Sequence, residues 1–469
     1  MTNNKNDCKG SRETPLPEYL RSGIEARLFP VLSTTSKEGR TTSIVLACFG
    51  KIEEFSAKLL SSVGMKIGKR ATVKAWTEVV FSKQATDIKD RPDGLIAITI
   101  GKRRWRALVE TKIGNNDLDP NQIERYRMLA KENDIDCLIT ISNHFATSPN
   151  SHPLEEVRKS RSKIPVFHWS WMYVLTTADL LLESGGVENP DQCMLLNELR
   201  RFLTHESAGV KGFDRFPREW TELNRLVSNG GAISPKSEDA RAVISAWHQE
   251  TRDLSLILSR MTYAGVIEKL SKKHMHQLDK RRKDELAALC ENQQLTSSLF
   301  VPNSAASIDI IADLSRRSID VGMSLEAPKD RVSTKARVNW LLRQIKNENV
   351  EGLNVRLLWP RTSETTQHSI AELREDINMV AETMPHLAVR EFHLFLSVRL
   401  GAKFTQQIKF ISEIERIVPE FYRNFGQNLT AWKQKPPKIG SDRQSGEDVS
   451  TEGLYEESKQ FAAESKSGH

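Results

Sequence analysis

Three residues of the types that hydrolyse phosphodiesters fall close together in this chain: Asp93, Glu110 and Lys112. Two carboxylates on a rigid scaffold suit a hard cation. Mg²⁺ takes oxygen ligands at about 2.0–2.1 Å and keeps several waters, which a substrate phosphate can share. Mn²⁺ can substitute, because it also accepts carboxylate and water ligands. Such an ion can generate hydroxide from water and neutralise charge developing on a phosphodiester. An adjacent ammonium can orient the water or stabilise the pentavalent phosphorus centre. The chemistry these parts suit is metal-dependent phosphodiester hydrolysis.

The elements that must position them can be read from the neighbouring residues. Leu95-Ile-Ala-Ile-Thr-Ile100 is rich in β-branched residues and predicts a strand; Gly101-Lys102 is placed for a hairpin turn, and Trp105 to Ile113 predicts the return strand. Residues two apart on a strand share a face, so Glu110 and Lys112 project together. Pairing positions whose numbers sum to 203–205 puts Asp93 opposite residue 110, 111 or 112. The plain alternative is a same-face surface pair of Glu110 and Lys112, worth well under about 1 kcal/mol if exposed. The apolar neighbours Ala107, Leu108, Val109 and Ile113 argue for burial, where an acid and a lysine without a role would be costly.

Around the hairpin, Val45, Cys48, Phe49, Ile52, Phe55, Leu59 and Val63 follow the i, i+3, i+4 rhythm of one amphipathic helix. Val73, Trp76, Val79, Val80 and Phe81 predict a second helix ending near Ser82. Asp119 as N-cap and Pro120 at the first position predict a further helix. Strands are expected at 135–141 and 166–169, with a basic helical segment at 153–162 between them. The order across residues 70–172 is helix, hairpin, helix, strand, helix, strand, which predicts an α/β unit on a mixed sheet.

Pro92-Asp93…Glu110-Thr111-Lys112 resembles the signature of the PD-(D/E)xK nuclease superfamily, which has the restriction-endonuclease-like fold. Gln122-Ile-Glu-Arg-Tyr126 resembles the Q-x-x-x-Y motif of its RecB-like branch. The resemblance covers about residues 70–172. It implies that Asp93 and Glu110 bind Mg²⁺, that Lys112 serves the attacking water, and that Gln122 and Tyr126 support the site. The family also carries an acid on a helix before the hairpin, and Glu78 fits that position; a solvated helix position is the other reading of Glu78. Arg103, Arg104 and Arg106 lie toward the turn of the hairpin and would hold flanking nucleic-acid backbone.

The rest of the chain is less specific. Its 469 residues carry 38% hydrophobic and 28% charged residues and a net charge of +7. That composition excludes a disordered chain, a collagen-like fibre and a polytopic membrane protein, and the charge mildly favours a polyanion. The N-terminus lacks a signal-peptide core, so a cytoplasmic protein is expected. The five scattered cysteines show no zinc or disulfide spacing. His144 reads as a turn residue and His168 as a core histidine. The basic cluster from Lys272 to Lys283 reads first as solvated helix charge and second as a backbone clamp.

The expected organisation is an N-terminal helical extension (1–69), a nuclease core (70–175), a helical connector (176–300), a C-terminal α+β domain (301–434) and a disordered tail (435–469). The functional expectation is a Mg²⁺-dependent deoxyribonuclease, with RNA as the other substrate candidate, acting in restriction, phage defence or repair. A homo-oligomer or a partner protein is expected to use the C-terminal region, and no membrane contact is expected. The rival reading is a non-catalytic nucleic-acid- or protein-binding module that reuses a nuclease-like sheet. A third is a scaffold whose active part is the C-terminal domain, although no catalytic motif is seen there.

Overall fold

A computed structural model describes residues 16–30, 36–84, 90–380, 384 and 386–434. The polar start over residues 1–15 and the tail over 435–469 fall outside the described residues. Among the described residues the first elements are β1 (Leu20–Glu25), α1 (Lys37–Lys51), α2 (Glu53–Ser61) and β2 (Thr72–Phe81). The hairpin follows as β3 (Gly94–Ile100) and β4 (Arg103–Thr111), then α3 (Pro120–Glu132), β5 (Cys137–Ser142), α4 (Glu155–Lys159) and β6 (Val166–Ser170). Helices α5 (Trp171–Glu183) and α6 (Pro190–Thr204) complete this half. The six strands lie in sequence order in one sheet. The first four pair antiparallel, and β4–β5 and β5–β6 pair parallel.

Two expectations are corrected here. Residues 73–81 form strand β2, not a helix. Val73, Trp76, Val79 and Val80 happen to fit a helical spacing, but most of the segment is β-branched or aromatic, and β1 and β3 hydrogen-bond to its two edges. The rhythm from Val45 to Val63 belongs to two helices, because Ile52 takes an extended conformation (φ −121°, ψ 101°) between α1 and α2.

The pleat divides the sheet's apolar residues between two layers. Ile96, Val109 and Ile139 pack with Phe49, Phe55, Trp169 and Trp171 on the α1/α2/α5 face. Their neighbours Leu95, Leu108 and Leu138 pack with Ile123 and Tyr126 under α3. Adjacent residues thus point to opposite layers.

The second half contains α7 (Arg218–Ser228), α8 (Glu238–Thr262), β7 (Ile267–Glu268), α9 (Lys272–His276), α10 (Leu278–Asn292), β8 (Gln294–Phe300), β9 (Ile308–Asp313), β10 (Ser318–Glu326), α11 (Thr334–Leu342), β11 (Leu353–Leu358), β12 (Thr365–Ser369), α12 (Ile370–Glu375), β13 (Glu391–Arg399) and α13 (Gln407–Asn424). Its strands form an antiparallel sheet ordered β12-β11-β13-β10-β9-β8-β7. The segment expected to be mainly helical to residue 300 ends instead in β7 and β8. Alternating Val321, Met323, Phe392 and Leu394 pack against Trp220, Trp247, Phe410 and Phe421. Helix α8 joins the halves: the Arg260 guanidinium donates to the Thr176 hydroxyl (2.9 Å) and Arg252 lies 5.5 Å over the Tyr173 ring. Among the described residues no helix is long and apolar enough to cross a membrane.

Candidate active site

The two-residue turn between β3 and β4 sets the register of everything that follows. Gly101 takes φ +59° there, a backbone region that favours glycine. Gly94 then pairs with Val109 and Leu95 with Leu108, so Asp93 stands one step beyond the last pair. Its Oδ2 accepts both the Thr111 amide (2.7 Å) and the Thr111 hydroxyl (3.0 Å). The carboxylate therefore extends the ladder in place of a backbone carbonyl. Gly94 packs closely against α1: a Cβ there would meet Leu46 Cδ1 at 2.4 Å, so that side chain would have to shift.

Glu110 is 3% exposed and Lys112 reaches back to it, with Nζ 2.5 Å from Oε1. The same ammonium donates to the Thr111 carbonyl (3.1 Å) and lies 3.5 Å from Glu38 Oε1. The backbone of Lys112 is fixed at both ends, since its amide donates to Ile141 O and its carbonyl accepts the Trp171 indole N–H, each at 2.8 Å. Glu38, in the first turn of α1, also accepts from the Ile113 amide (3.3 Å) and the Asn116 side chain (3.4 Å).

Sequence reasoning missed Glu38. It began the helical rhythm at Val45, whereas the helix starts at Lys37; an acid just after Ser36 at a helix start was the available signal.

The electrostatics follow from crowding two carboxyls into a dry corner. Burial, and then the negative charge of Asp93, push Glu110 up to about 8 against the pull of Lys112. Burial raises Asp93 as well, opposed by the Thr111 amide and the Lys112 charge. Burial pushes Lys112 down, but Glu110, Asp93 and Glu38 outweigh it and hold the ammonium above its usual range. Glu110 Oε2 is buried with no hydrogen-bond partner. Hard oxygen donors, mutual repulsion and an orphaned buried oxygen are what a divalent cation would relieve, so the donor set fits Mg²⁺ or Mn²⁺. Among the described residues no three His, Cys, Asp or Glu side chains already converge as a metal cage.

The other expected residues divide into near and far. Gln122 donates to the Tyr126 hydroxyl (2.9 Å), and that hydroxyl donates to the Arg91 carbonyl (3.0 Å). The pair thus holds the backbone two residues before Asp93. Burial and then Glu110 raise the Tyr126 hydroxyl, so it stays protonated as a donor. Glu78 is exposed, at a left-handed φ of +52°, and its amide donates to Asp93 O (3.1 Å). It lines a cleft of about 260 Å³ together with Asp93, Glu38 and Thr42. It stands on strand β2 rather than on a helix.

Arg103 and Arg104 are exposed at the turn end, about 20 Å along the strand from Glu110 at roughly 3.3 Å per residue. Arg106 is engaged by structure, its guanidinium 4.8 Å over the Tyr19 ring and donating to Asp134 O (2.8 Å). His168 is buried, bonded to Thr140 and to the His144 carbonyl, and burial lowers it to about 3. His144 closes the turn after β5 through Ser142.

No protein family, curated protein or solved structure matches the chain.

Proposed function

We propose that Asp93, Glu110 and Lys112 form the active site of a metal-dependent nuclease with a restriction-endonuclease-like core, acting on DNA. The observation that carries this reading is the Glu110 carboxyl, pushed up by burial and then by Asp93 and with one oxygen unsatisfied, beside a fixed ammonium. A structural ion pair would need one carboxylate; here two are forced together at the end of β4. The succession of hairpin, α3 and β5 supports the same reading, because it follows the order that the sequence resemblance implies, with strand β2 standing where a helix was expected.

A Mg²⁺ ion held by Asp93 and Glu110 would neutralise charge developing on the phosphodiester and acidify a water. The chain's own residues then have distinct tasks. Asp93 is aimed by the amide and hydroxyl of Thr111. Lys112, set by Ile141 and Trp171, presents a proton-donating cation to the water or to the phosphorane oxygens. Glu38 keeps that ammonium charged and oriented. Tyr126 and Gln122 brace the turn that delivers Asp93.

The test is incubation of purified protein with single-stranded, double-stranded and branched DNAs, and with RNA, plus Mg²⁺ or Mn²⁺. Cation-dependent cleavage that Asp93→Asn abolishes is expected. Binding without cleavage of any substrate would replace this reading with the non-catalytic binding module.

A further inference from the structure

Two basic segments far apart in sequence face each other across the junction of the two halves. Helix α4 brings Arg158 and Lys159; helix α10 brings Lys280 and Lys283, and together they line a cleft of about 520 Å³. Arg282 joins Arg158 in the adjoining depression. Five cationic side chains therefore meet two acids, Glu155 and Asp279. Of the run from Lys280 to Lys283, Arg281 turns into the interior, where Glu268 and Glu285 neutralise it.

The remaining cations are poorly compensated. Among the described residues neither Arg158 nor Arg282 nor Lys283 makes an ion pair, and the Arg282 Nε is buried without a hydrogen-bond partner. Lys159 and Lys280 do have acids, at 2.6 Å to Glu155 and 3.6 Å to Asp284. Arg158 is held against the groove wall by the Pro153 carbonyl (2.9 Å). Burial, and then the positive charge of Arg282, lower it from the usual guanidinium range. Like charges brought this close are unfavourable unless an anion lies between them. The Arg158/Arg282 pair beside the lysines of α4 and α10 calls for an anionic group, which a sugar–phosphate backbone supplies, and planar guanidinium forks suit phosphate oxygens.

Neighbouring depressions lie between the groove and the acid–lysine site. Its neighbouring depression shares Ser245 and Gln249 with a cleft of about 720 Å³ that begins at Gly114–Asn116, and Asn116 donates to Glu38. We propose that the Arg158/Arg282 groove binds the phosphate backbone of a nucleic-acid strand flanking the one presented to Asp93, Glu110 and Lys112. Only the word flanking rests on the nuclease reading; the groove itself does not.

The test is fluorescence anisotropy of labelled DNA with the full chain in EDTA, at several salt concentrations. Arg282→Gln/Lys283→Gln should weaken binding about tenfold, and should lower the slope of log affinity against log salt by roughly 1.5, the loss expected for two phosphate contacts. Glu155→Gln should tighten binding. Unchanged affinity and slope in both variants, with thermal melts matching the wild type, overturns the proposal. So does a wild-type protein that binds inorganic tripolyphosphate but no nucleic acid. Because the titrations exclude divalent cations, a protein that binds through this groove yet never cleaves would remove the nuclease reading and leave the groove standing.

Discussion

The hydroxyl oxygens of Thr42 and Thr111 lie 2.6 Å apart, which ties helix α1 directly to the strand that carries Glu110 and Lys112. Thr111 is also the residue that aims Asp93. One buried hydroxyl therefore links the helix bearing Glu38 to Asp93. Thr111→Val removes that link while keeping the shape. It should cost about 1–3 kcal/mol in urea unfolding, because the partners left behind are buried, and it should push Asp93 further up in an NMR carboxyl titration. Thr111→Ser should restore most of both.

The pH dependence has a defined sign. Glu110 is raised from 4.5 to about 8 in the folded chain, so between those values the folded state holds a proton that the unfolded state has lost. Stability contributed by this group is present at low pH and falls as pH rises toward 8, by at most about 1.4 kcal/mol per pH unit. Glu110→Gln should flatten that limb and be more stable than wild type at pH 8. A Mg²⁺ ion bound as proposed would displace the same proton, so its affinity in calorimetry should rise up to about tenfold per pH unit below 8. Pairs of melts at pH 6 and pH 8 check the first claim directly.

Lys112→Met deletes the charge and keeps much of the stem. Single-turnover cleavage should drop about 10²–10³-fold, the usual cost of one preorganised donor. DNA affinity at the same salt should barely move, since it is spread over many phosphate contacts. Lost affinity with bound substrate cut at the normal rate would make Lys112 a phosphate-binding residue instead.

Glu38→Gln keeps the contacts of Ile113 and Asn116 within reach but removes a negative charge from beside Lys112. The ammonium should titrate lower than in wild type, and cleavage should become more sensitive to high pH. Glu38→Ala, which also loses the two hydrogen bonds, should be the less stable of the two in thermal melts. A Glu38→Gln pH profile that superimposes on wild type would separate Glu38 from the chemistry.

Gly94→Ala tests the packing that seats Asp93. The added methyl meets Leu46 at 2.4 Å, and overpacking of this kind costs about 1–3 kcal/mol. Combining it with Leu46→Ala should recover part of the loss, which two independent substitutions would not do.

The hairpin was legible because its period-2 pattern, glycine turn and two-residue loop together permit few registers; Asp93, Glu110 and Lys112 converge as that register requires. The N-cap Asp119 was legible for a similar local reason, and its side chain accepts from the Asn121 amide. Strand β2 was not, because its apolar residues satisfy two periods at once and only its neighbours β1 and β3 decide between them. Glu38 was hidden by distance: nothing in residues 37–51 announces a contact with residue 112. Arg281 and Arg282 are adjacent and chemically identical, yet one is a buried ion-pair partner and the other lines a groove. That difference depends on Glu268 and Glu285, which lie on β7 and on the inner face of α10.

The clamp on Lys112 bears on how the chain acquires its site. Its three anchors arrive from Glu38, Ile141 and Trp171, so the site closes loops of well over twenty residues in both directions and includes a parallel β4–β5 pairing that no tight turn can nucleate. The hairpin can form early and locally, but at that stage Asp93, Glu110 and Lys112 lie on an unbraced ribbon. On a ribosome, the lysine cannot be fixed until Trp171 has left the exit tunnel. The arrangement around Lys112 is therefore complete only when β5, β6 and the start of α5 have docked.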